Sequence, residues 1–290
     1  MSLPPVEIPL GAMRFNSDSQ KLEYWMGSAW MQIKTFSPNL DGGARCIAYR
    51  AGANNDIEFI TIPTQGNATD FGNLTVSRRA VAGGANATRG IGCGGNTPSG
   101  TNTIDYITMA SSSNAVDFGD ATHTQSNDSA FASPTRMIVG GNGPTGNCQF
   151  ITIATTGNSQ DFTEVRRMDG NDGNVRIEVP AAGSNATRGL FAGGEYQPSG
   201  GANNKLIIYT TIATLSEFSH FGDLTANKAA PGGAASKTRF VSAGGGTPSY
   251  TTQIESVQID TLGDAVDFGD LAASYVSNGG GSCNDHGGLG

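Results

Sequence analysis

A short stretch of the chain that is apolar on both faces predicts a β-strand buried between two layers. In the stretch Ile104 to Met109, Ile104 and Tyr106 point to one side of an extended chain, and Ile107 and Met109 point to the other. A strand of this kind must be covered on both sides. The sequence therefore predicts an all-β protein in which sheets lie against one another.

The residues on either side of this strand predict further strands. The apolar stretch 89–93 comes before it and ends at a Gly-Gly pair followed by a loop rich in turn-forming residues. After it, a run of Ser and Asn at 111–114 predicts a turn, and residues 115–120 predict a third strand. The more polar stretch that continues to about Ser133 predicts a fourth strand at the outer edge.

This order of elements recurs five times at intervals of about 47 residues. Each copy carries one phenylalanine, at Phe71, Phe118, Phe162, Phe221 and Phe268. Nine residues before each phenylalanine lies an aliphatic residue, at Ile62, Met109, Ile153, Ile212 and Ile259. Each copy also opens on an arginine, at Arg45, Arg89, Arg136, Arg188 and Arg239. A fixed register of this kind is typical of stacked or circular repeats.

Four short strands per repeat, with the inner strands buried on both faces, predict the blades of a β-propeller. We expect about five four-stranded blades, or six if the N-terminal residues join the ring. Residues 1–34 predict a separate β-meander, an attachment or oligomerisation module with a small core of Tyr24, Trp25 and Trp30. The propeller is expected over 35–290, with repeats at 45–88, 89–135, 136–187, 188–238 and 239–285 and a closing strand at 286–290.

Composition and charge narrow the function classes. The formal net charge is −8, and no run of Lys or Arg is present, so nucleic-acid binding is not expected. No apolar stretch is long enough to span a membrane, and the N-terminus has no apolar leader, so we expect folding in a cytoplasm. The cysteines show no paired metal-ligand spacing, and neither a metal nor a cofactor is expected.

Residues that recur once per repeat are expected to be structural. We assign this role to the five phenylalanines and to the arginines, which we expect to pair with a neighbouring acid such as Asp117 or Asp267. The three His residues lie in unrelated registers, and no Ser/His/Asp set or paired carboxylates can be assembled. No catalytic residues are predicted, and we do not expect an enzyme.

Binding residues are expected in the loops after the Gly-Gly pairs, because these loops differ in length and composition between copies. Exposed aromatic residues in such loops suit the recognition of sugars and protein surfaces. The candidates are Asn96, Thr97, Pro98, Asn142, Pro144, Glu195, Tyr196, Pro198, Thr247 and Tyr250. The alternative is that these residues form solvated turns. The longest loop, from Glu195 to Asn204, is the strongest candidate.

The repeat resembles the kelch blade, with an arginine, an apolar strand, Gly-Gly and an aromatic strand, although Phe stands where kelch has Trp. The segments 103–108, 187–194 and 221–225 resemble repeats of structural proteins from tailed bacteriophages, notably marine and cyanobacterial ones. The stretch from Gly11 to Trp30 resembles a β-meander at the head of phage fibre and appendage proteins.

These resemblances imply a non-enzymatic virion structural protein, such as a tail fibre or another appendage. Its loops would bind the host surface, as glycan or protein, or other virion subunits, and its N-terminal module would contact other virion proteins. The first alternative is an architectural adaptor, or a capsid-decorating or head-fibre protein, with no receptor role. A polysaccharide-degrading tail enzyme is less favoured, because it needs a pair of carboxylates. The expected location is the virion, and homo-oligomerisation is left open.

Overall fold

A computed structural model describes residues 8–16, 21–32, 45–49, 55–64, 66–141, 146–165, 176–178, 180–197, 202–247, 249–274 and 281–283. Every regular element in these ranges is a β-strand, and all the strand pairs are antiparallel. No helix in these ranges has the length and apolar character needed to cross a membrane. The chain divides into two compact units, Met1–Pro38 and Asn39–Gly290, close to the expected boundary at residue 34.

The first unit contains a three-stranded meander of β1 (Met13–Asn16), β2 (Lys21–Trp25) and β3 (Trp30–Gln32). Trp25 lies opposite Trp30, and their ring centroids are 5.5 Å apart. Tyr24 pairs with Met13 and Met31, so alternation along β2 places it on the face opposite the tryptophans. The expectation that Tyr24 shares a core with both tryptophans is therefore wrong.

The described residues of the second unit form five antiparallel sheets of four or more strands, numbered here in chain order, and a separate two-stranded hairpin. Sheet 1 contains β4 (Arg45–Tyr49), β5 (Asp56–Thr61) and β6 (Thr69–Asn73). Sheet 2 contains β7 (Ala82–Ala85), β8 (Arg89–Cys93), β9 (Asn96–Thr97), β10 (Ser99–Thr108) and β11 (Val116–Gln125). Sheet 3 contains β12 (Ser129–Ala132), β13 (Arg136–Gly140), β14 (Asn147–Thr152) and β15 (Gln160–Glu164).

Sheet 4 contains β16 (Arg176–Glu178), β17 (Ala181–Ser184), β18 (Arg188–Ala192), β19 (Glu195–Gln197), β20 (Ala202–Thr211) and β21 (Ser219–Lys228). Sheet 5 contains β22 (Gly232–Ala235), β23 (Arg239–Ala243), β26 (Gln253–Gln258) and β27 (Val266–Asp270). A separate hairpin of β24 (Gly246–Thr247) and β25 (Ser249–Tyr250) precedes β26. The last described strand is β28 (Gly281–Cys283).

Sheets 2 to 5 each have a main path of four strands in chain order, such as β7-β8-β10-β11, and the short strands are additions to it. Sheet 1 reaches four strands only because β28 pairs with β4, with Gly281 opposite Ala48 and Cys283 opposite Cys46. Both ends of the second unit therefore contribute to one sheet. The closing strand expected at 286–290 lies outside the described residues.

The small-residue stretch before Arg89, Arg136, Arg188 and Arg239 is the first strand of the sheet that follows, so the assignment of such a stretch as a fourth, outer strand is wrong. Ala82–Ala85 pairs with β8, and Ser129–Ala132 pairs with β13. These first strands also contact one another from sheet to sheet, in the order β28, β7, β12, β17, β22. Glycine and alanine suit them because the backbones converge: a Cβ at Gly233 would overlap the backbone of Ala182 in sheet 4.

Consecutive sheets pack face to face. The front face of a sheet is defined here as the one turned toward the next sheet, and the back face as the one turned toward the previous sheet. The front of sheet 1 buries Phe71 against Ile107 and Met109 on the back of sheet 2. The front of sheet 2 buries Phe118 against Ile151 and Ile153 on the back of sheet 3.

The same pairing of phenylalanine with aliphatic residues joins the remaining sheets. Phe162 is half-buried in the core between sheets 3 and 4, where Ile208 and Ile212 are fully buried. Phe221 is buried with Ile259 between sheets 4 and 5. Phe268 departs from the pattern, because 53% of it is exposed, and its assignment as a buried structural residue is corrected.

Candidate interaction surfaces

The recurring arginines join neighbouring sheets by hydrogen bonds to backbone carbonyl groups. Four of the five donate from Nη1 to the carbonyl oxygen of the recurring aliphatic residue in the next sheet. The bonds are Arg45 to Met109 (2.6 Å), Arg89 to Ile153 (2.9 Å), Arg136 to Ile212 (3.1 Å) and Arg188 to Ile259 (2.7 Å). These partners correct the expectation that the arginines pair with Asp117 or Asp267. A structural role is supported, because each bond spans two sheets.

Each arginine also lies against an aromatic ring of its own sheet. The guanidinium carbon of Arg89 is 4.8 Å from the centroid of Tyr106, and that of Arg188 is 4.6 Å from Tyr209. Arg239 differs, because it lies 5.7 Å from Phe268 and makes no hydrogen bond to another sheet in the part of the chain that the structure describes. Cation–π contact orients each guanidinium toward the carbonyl that it reaches.

Buried polar residues that the sequence analysis did not identify add a second link between sheets. Asp105, on the back of sheet 2, accepts hydrogen bonds from the backbone N and Oγ1 of Thr75 and pairs with Arg78 at 3.0 Å. Both charged side chains are fully buried. In sheet 5, Glu255 accepts from Thr225 and pairs with Lys228 in the same arrangement. The sequence carries a signal for these ion pairs. An acidic residue, Asp105 or Glu255, lies four positions before the recurring aliphatic residue of its repeat.

The Gly-Gly pairs turn the chain out of each sheet into a short hairpin. Gly94 and Gly95 have φ values of 66° and 106°, which favour glycine. A Cβ at Gly95 would lie 2.6 Å from the carbonyl oxygen of Arg79. The hairpin of β9 and the start of β10 follows, and Asn96 exchanges two backbone hydrogen bonds with Arg79. The backbone of the loop is therefore held by the connection between β6 and β7.

The candidate loop residues that the structure describes lie in or beside the short strands that follow the Gly-Gly pairs. Asn96 and Thr97 form β9 and are half-buried, and Pro98 is exposed at the tip of the hairpin. Thr247 lies in β24, and 67% of Tyr250, in β25, is exposed. Asn142, Pro144 and Pro198 lie outside the described residues. Asn203 of sheet 4 donates to the carbonyl of Gly246 at 3.0 Å, which links two neighbouring loops.

Tyr196 is buried, so its assignment as an exposed contact residue is wrong. It belongs to the core between sheets 3 and 4, and it pairs with Ile177 across β19 and β16. The strand β16 comes from the long connection that separates the third and fourth repeats. The strand β16, from that connection, therefore pairs with β19, from the enlarged loop after Gly193, and the two strands extend sheet 4. Glu195 starts β19 and is half-buried.

Asp223 and His123 have shifted pKa values. Burial raises the pKa of Asp223, but hydrogen bonds from Lys205 and His220 outweigh it and hold this pKa below its usual value. Burial lowers the pKa of His123, although Asp161 opposes this effect. Both environments keep the groups in their usual state at neutral pH: Asp223 is ionised and His123 is neutral. Asp223 bonds to Lys205 and His220, and His123 contacts Thr122, so both groups belong to surface hydrogen-bond networks.

Cys93 and Cys148 are buried thiols. Burial, reinforced by the charge of Asp128, raises the pKa of Cys93 to about 12 and raises the pKa of Cys148 as well. A thiol with a raised pKa is a poor nucleophile and a poor metal ligand. Within the described ranges, no three His, Cys, Asp or Glu residues come together as a metal site.

The N-terminal meander carries an exposed apolar face. Met13 and Phe15 on β1, and Leu22 and Met31 on the neighbouring strands, lie on this face with Tyr24 and are all exposed large hydrophobics. The opposite face holds Glu23, where hydrogen bonds from Asn16 (3.0 Å) and then Arg14 (2.9 Å) lower its pKa. Four large apolar side chains are therefore exposed together on one face of a three-stranded sheet.

Comparisons with known proteins bear on the fold and leave the activity open. No family model matches the chain, and no curated protein matches it. The chain is similar to the solved structure titled "Structure of YjhT", with a TM-score of 0.61 and 11% sequence identity. The similarity covers 80% of this chain and 82% of that one. The two proteins therefore share a fold of small antiparallel β-sheets over most of their lengths.

Proposed function

We propose that this chain is a non-enzymatic structural protein of a tailed-bacteriophage virion, a tail fibre or another appendage. Its N-terminal meander attaches it to other virion proteins, and its loops bind the host surface or neighbouring subunits. We also propose that the five sheets are the blades of a kelch-like β-propeller. The repeat and the meander resemble those of phage structural proteins, and the structural observation that carries the proposal is the exposed apolar face of the meander.

The size and the surface of the meander support an attachment role. Met13, Phe15, Leu22 and Met31 are exposed side by side on one face. A sheet of three short strands buries little apolar surface by itself. Covering this face with a partner protein would remove the apolar side chains from water, which stabilises the complex. The partner surface is expected to be apolar and to lie in the virion.

The proposed binding role of the loops is supported by the contacts that hold their backbones in place. The hairpins leave the sheets at Gly-Gly turns, and backbone bonds such as Asn96 with Arg79 hold them in place. Binding residues are commonly carried by loops on a rigid scaffold. Tyr250 is the most exposed aromatic residue among the described loop residues, and an exposed tyrosine offers both an apolar ring and a hydroxyl group.

The second candidate function is an architectural adaptor, or a capsid-decorating or head-fibre protein, without a receptor role. One observation favours it: apolar residues are also exposed at both ends of the array of sheets, at Ile60, Ile62 and Phe268. Apolar patches of this kind are typical of subunit contacts, whereas glycan recognition relies on polar groups around an aromatic residue.

Adsorption of phage particles that encode the chain separates the two candidates. Tyr250→Ser should reduce adsorption to host cells while leaving particle yield and melting temperature unchanged. Val116→Ser is the matched control, because Val116 is exposed at the opposite edge of sheet 2. Loss of adsorption with Tyr250→Ser alone supports the receptor role. Unchanged adsorption contradicts a receptor role for this loop and favours the architectural candidate.

A further inference from the structure

Two of the four cysteines of the chain lie directly opposite each other in sheet 1. Cys46 belongs to β4, near the start of the second unit, and Cys283 belongs to β28, near its end. The two strands are antiparallel, and their register pairs Cys46 with Cys283. The other two cysteines, Cys93 and Cys148, belong to two separate cores. The sequence did not show this pair, because it forms only where the two ends of the unit meet.

The register of β4 and β28 suits the geometry of a disulfide. Residues directly opposite each other in an antiparallel pair share a face of the sheet, and their Cα atoms lie about 4.5–5.5 Å apart. A disulfide joins Cα atoms that are about 4.4–6.8 Å apart, with Cβ atoms slightly closer than in an ordinary cross-strand pair. In the described part of the chain, β28 lies at the edge of sheet 1, so a small approach toward β4 disturbs no second pair of strands.

The pairing of these two strands joins the two ends of the second unit through a short contact. Three pairs of residues make up the register, and Cys46 with Cys283 is the last of them. Bringing the ends of a long segment together costs entropy, and this cost grows with the length of the loop that is closed. A covalent bond between the strands would keep the ends together in the unfolded chain as well, which lowers the entropy lost on folding.

Cys46 is a more accessible thiol than Cys93 and Cys148. It is a free thiol in the structure and is half-buried, whereas the other two are fully buried. Burial also raises the pKa of Cys46, which lowers its thiolate fraction at neutral pH. A small thiolate fraction slows exchange with a disulfide, but the equilibrium depends on the reduction potential of the pair and of its surroundings.

We propose that Cys46 and Cys283 form a disulfide that fastens β28 to β4 and joins the two ends of the second unit covalently. The oxidant is a small-molecule disulfide such as oxidised glutathione. The thiolate of one cysteine attacks a sulfur of that molecule, forms a mixed disulfide and releases one small thiolate. The thiolate of the other cysteine then attacks the protein sulfur of the mixed disulfide, forms the Cys46–Cys283 bond and releases the second small thiolate.

In this exchange the two protein thiols are oxidised, and one small disulfide is reduced to two thiols, which take up the two protons that the cysteines lose. The bond lies between neighbouring strands of one sheet, so it is compatible with closure of the five sheets into a ring. Such a bond persists in oxidising surroundings, whereas a reducing cytoplasm keeps the cysteines as thiols. The closure is therefore redox-dependent. It follows from the register of β4 and β28 and does not depend on the virion role.

Peptide mapping tests whether the bond forms. The full-length chain is purified in reduced form and incubated with oxidised glutathione while folded. The remaining thiols are blocked with N-ethylmaleimide in denaturant, and the unreduced digest is analysed by mass spectrometry. The proposal expects monomers in which Cys46 is linked to Cys283 and in which Cys93 and Cys148 carry the blocking group. It is overturned if Cys46 and Cys283 remain thiols, if each carries glutathione, or if they are linked only between different chains.

A variant that moves one thiol by a single position is the matched control. Ser282→Cys/Cys283→Ser places the thiol of β28 opposite Ile47, on the other face of the strand. Linkage of Cys46 to the moved thiol should be on the order of 10-fold less than linkage to Cys283, because side chains on opposite faces cannot be bridged without backbone movement. Equal linkage would show that the end of the chain reaches Cys46 without this register, and it would overturn the proposal.

Thermal denaturation tests whether the bond stabilises the closure. The oxidised natural chain should melt on the order of 10 °C above the reduced chain, because the disulfide closes a loop that contains most of the second unit. Cys46→Ser cannot form the bond and should melt at the same temperature after either treatment. Equal melting of the oxidised and reduced natural chains would contradict a stabilising closure. An equal shift in Cys46→Ser would assign the effect to other cysteines and would also overturn the proposal.

Discussion

Arg89 donates from Nη1 to the backbone carbonyl oxygen of Ile153, 2.9 Å away in the next sheet, and this bond recurs at each of the four packed sheet contacts. The arginine and its acceptor lie 64 residues apart in the chain. A bond to the backbone does not depend on the side chain of the acceptor residue. The contact therefore forms equally with Met109 and with the isoleucines at the same position of the other sheets.

Arg89→Ala is expected to lower the free energy of unfolding by about 1.5–3 kcal/mol, the usual range for a hydrogen bond to a charged group. The variant leaves the carbonyl of Ile153 without this donor and removes the contact with Tyr106. Urea denaturation of dilute samples measures the change. Arg239→Ala is the control and should change the free energy by less than about 0.5 kcal/mol. Equal losses in both variants would contradict the structural role of this bond.

Phe118→Ala should lower the free energy of unfolding by about 3–5 kcal/mol, because it creates a cavity between sheets 2 and 3. Phe268→Ala is the matched variant at the exposed end of the array, and about 1 kcal/mol or less is expected there. Thermal and chemical denaturation of the two variants give the comparison. Near-unchanged melting of Phe118→Ala would show that the ring is exposed and would refute the packing of these sheets.

Asp105→Ala should cost about 3–5 kcal/mol, because it leaves the buried guanidinium of Arg78 without its partner. Replacing both residues with apolar ones, as Arg78→Met/Asp105→Leu, should restore most of this stability, since no buried charge remains. Glu58→Ala changes the acid at the same register on the exposed face and should be nearly neutral. A double variant as unstable as Asp105→Ala would show that Asp105 acts through something other than this ion pair.

The stability of the N-terminal meander should depend on the protonation of Glu23. Its pKa is lowered in the folded meander by Asn16 and Arg14, so the ionised form is bound more tightly than in the unfolded chain. This contribution is present at neutral pH and is lost as the pH falls through the lowered pKa. Trp25 and Trp30 are the only tryptophans of the chain, so their fluorescence reports on this module alone.

The fluorescence of the natural chain should therefore show an acid transition that Glu23→Gln lacks, because the amide does not titrate in this range. An identical transition in both proteins would assign the pH dependence to other groups.

The sequence identified the repeated elements because each depends on local chemistry. Arg89–Cys93 was expected as a strand and is β8. Alternation on both faces of β10 predicted that sheets cover it on both sides, and Ile104 and Ile107 belong to two different cores. These properties follow from residues close together in the chain.

What the sequence did not show depends on contacts between distant residues. The stretch Ala82–Ala85 has no large apolar side chain, so it resembles an outer strand until the neighbouring backbones are placed around it. Tyr196 was expected at the surface because β16, which pairs with its strand, comes from a different and irregular part of the chain. Phe268 shares its register with four packed phenylalanines, and only the position of its sheet at the end of the array exposes it.

The most direct test of the proposed virion role is mass spectrometry of purified phage particles, comparing the full-length chain with a chain that lacks residues 1–34. Because the meander is a unit by itself, the truncated chain should fold, remain soluble and retain the cooperative unfolding of the sheets. The account predicts that particles contain the full-length chain and lack the truncated one. Incorporation of both chains at equal levels would contradict the attachment role of the meander, and absence of the full-length chain from the particles would contradict the virion role itself.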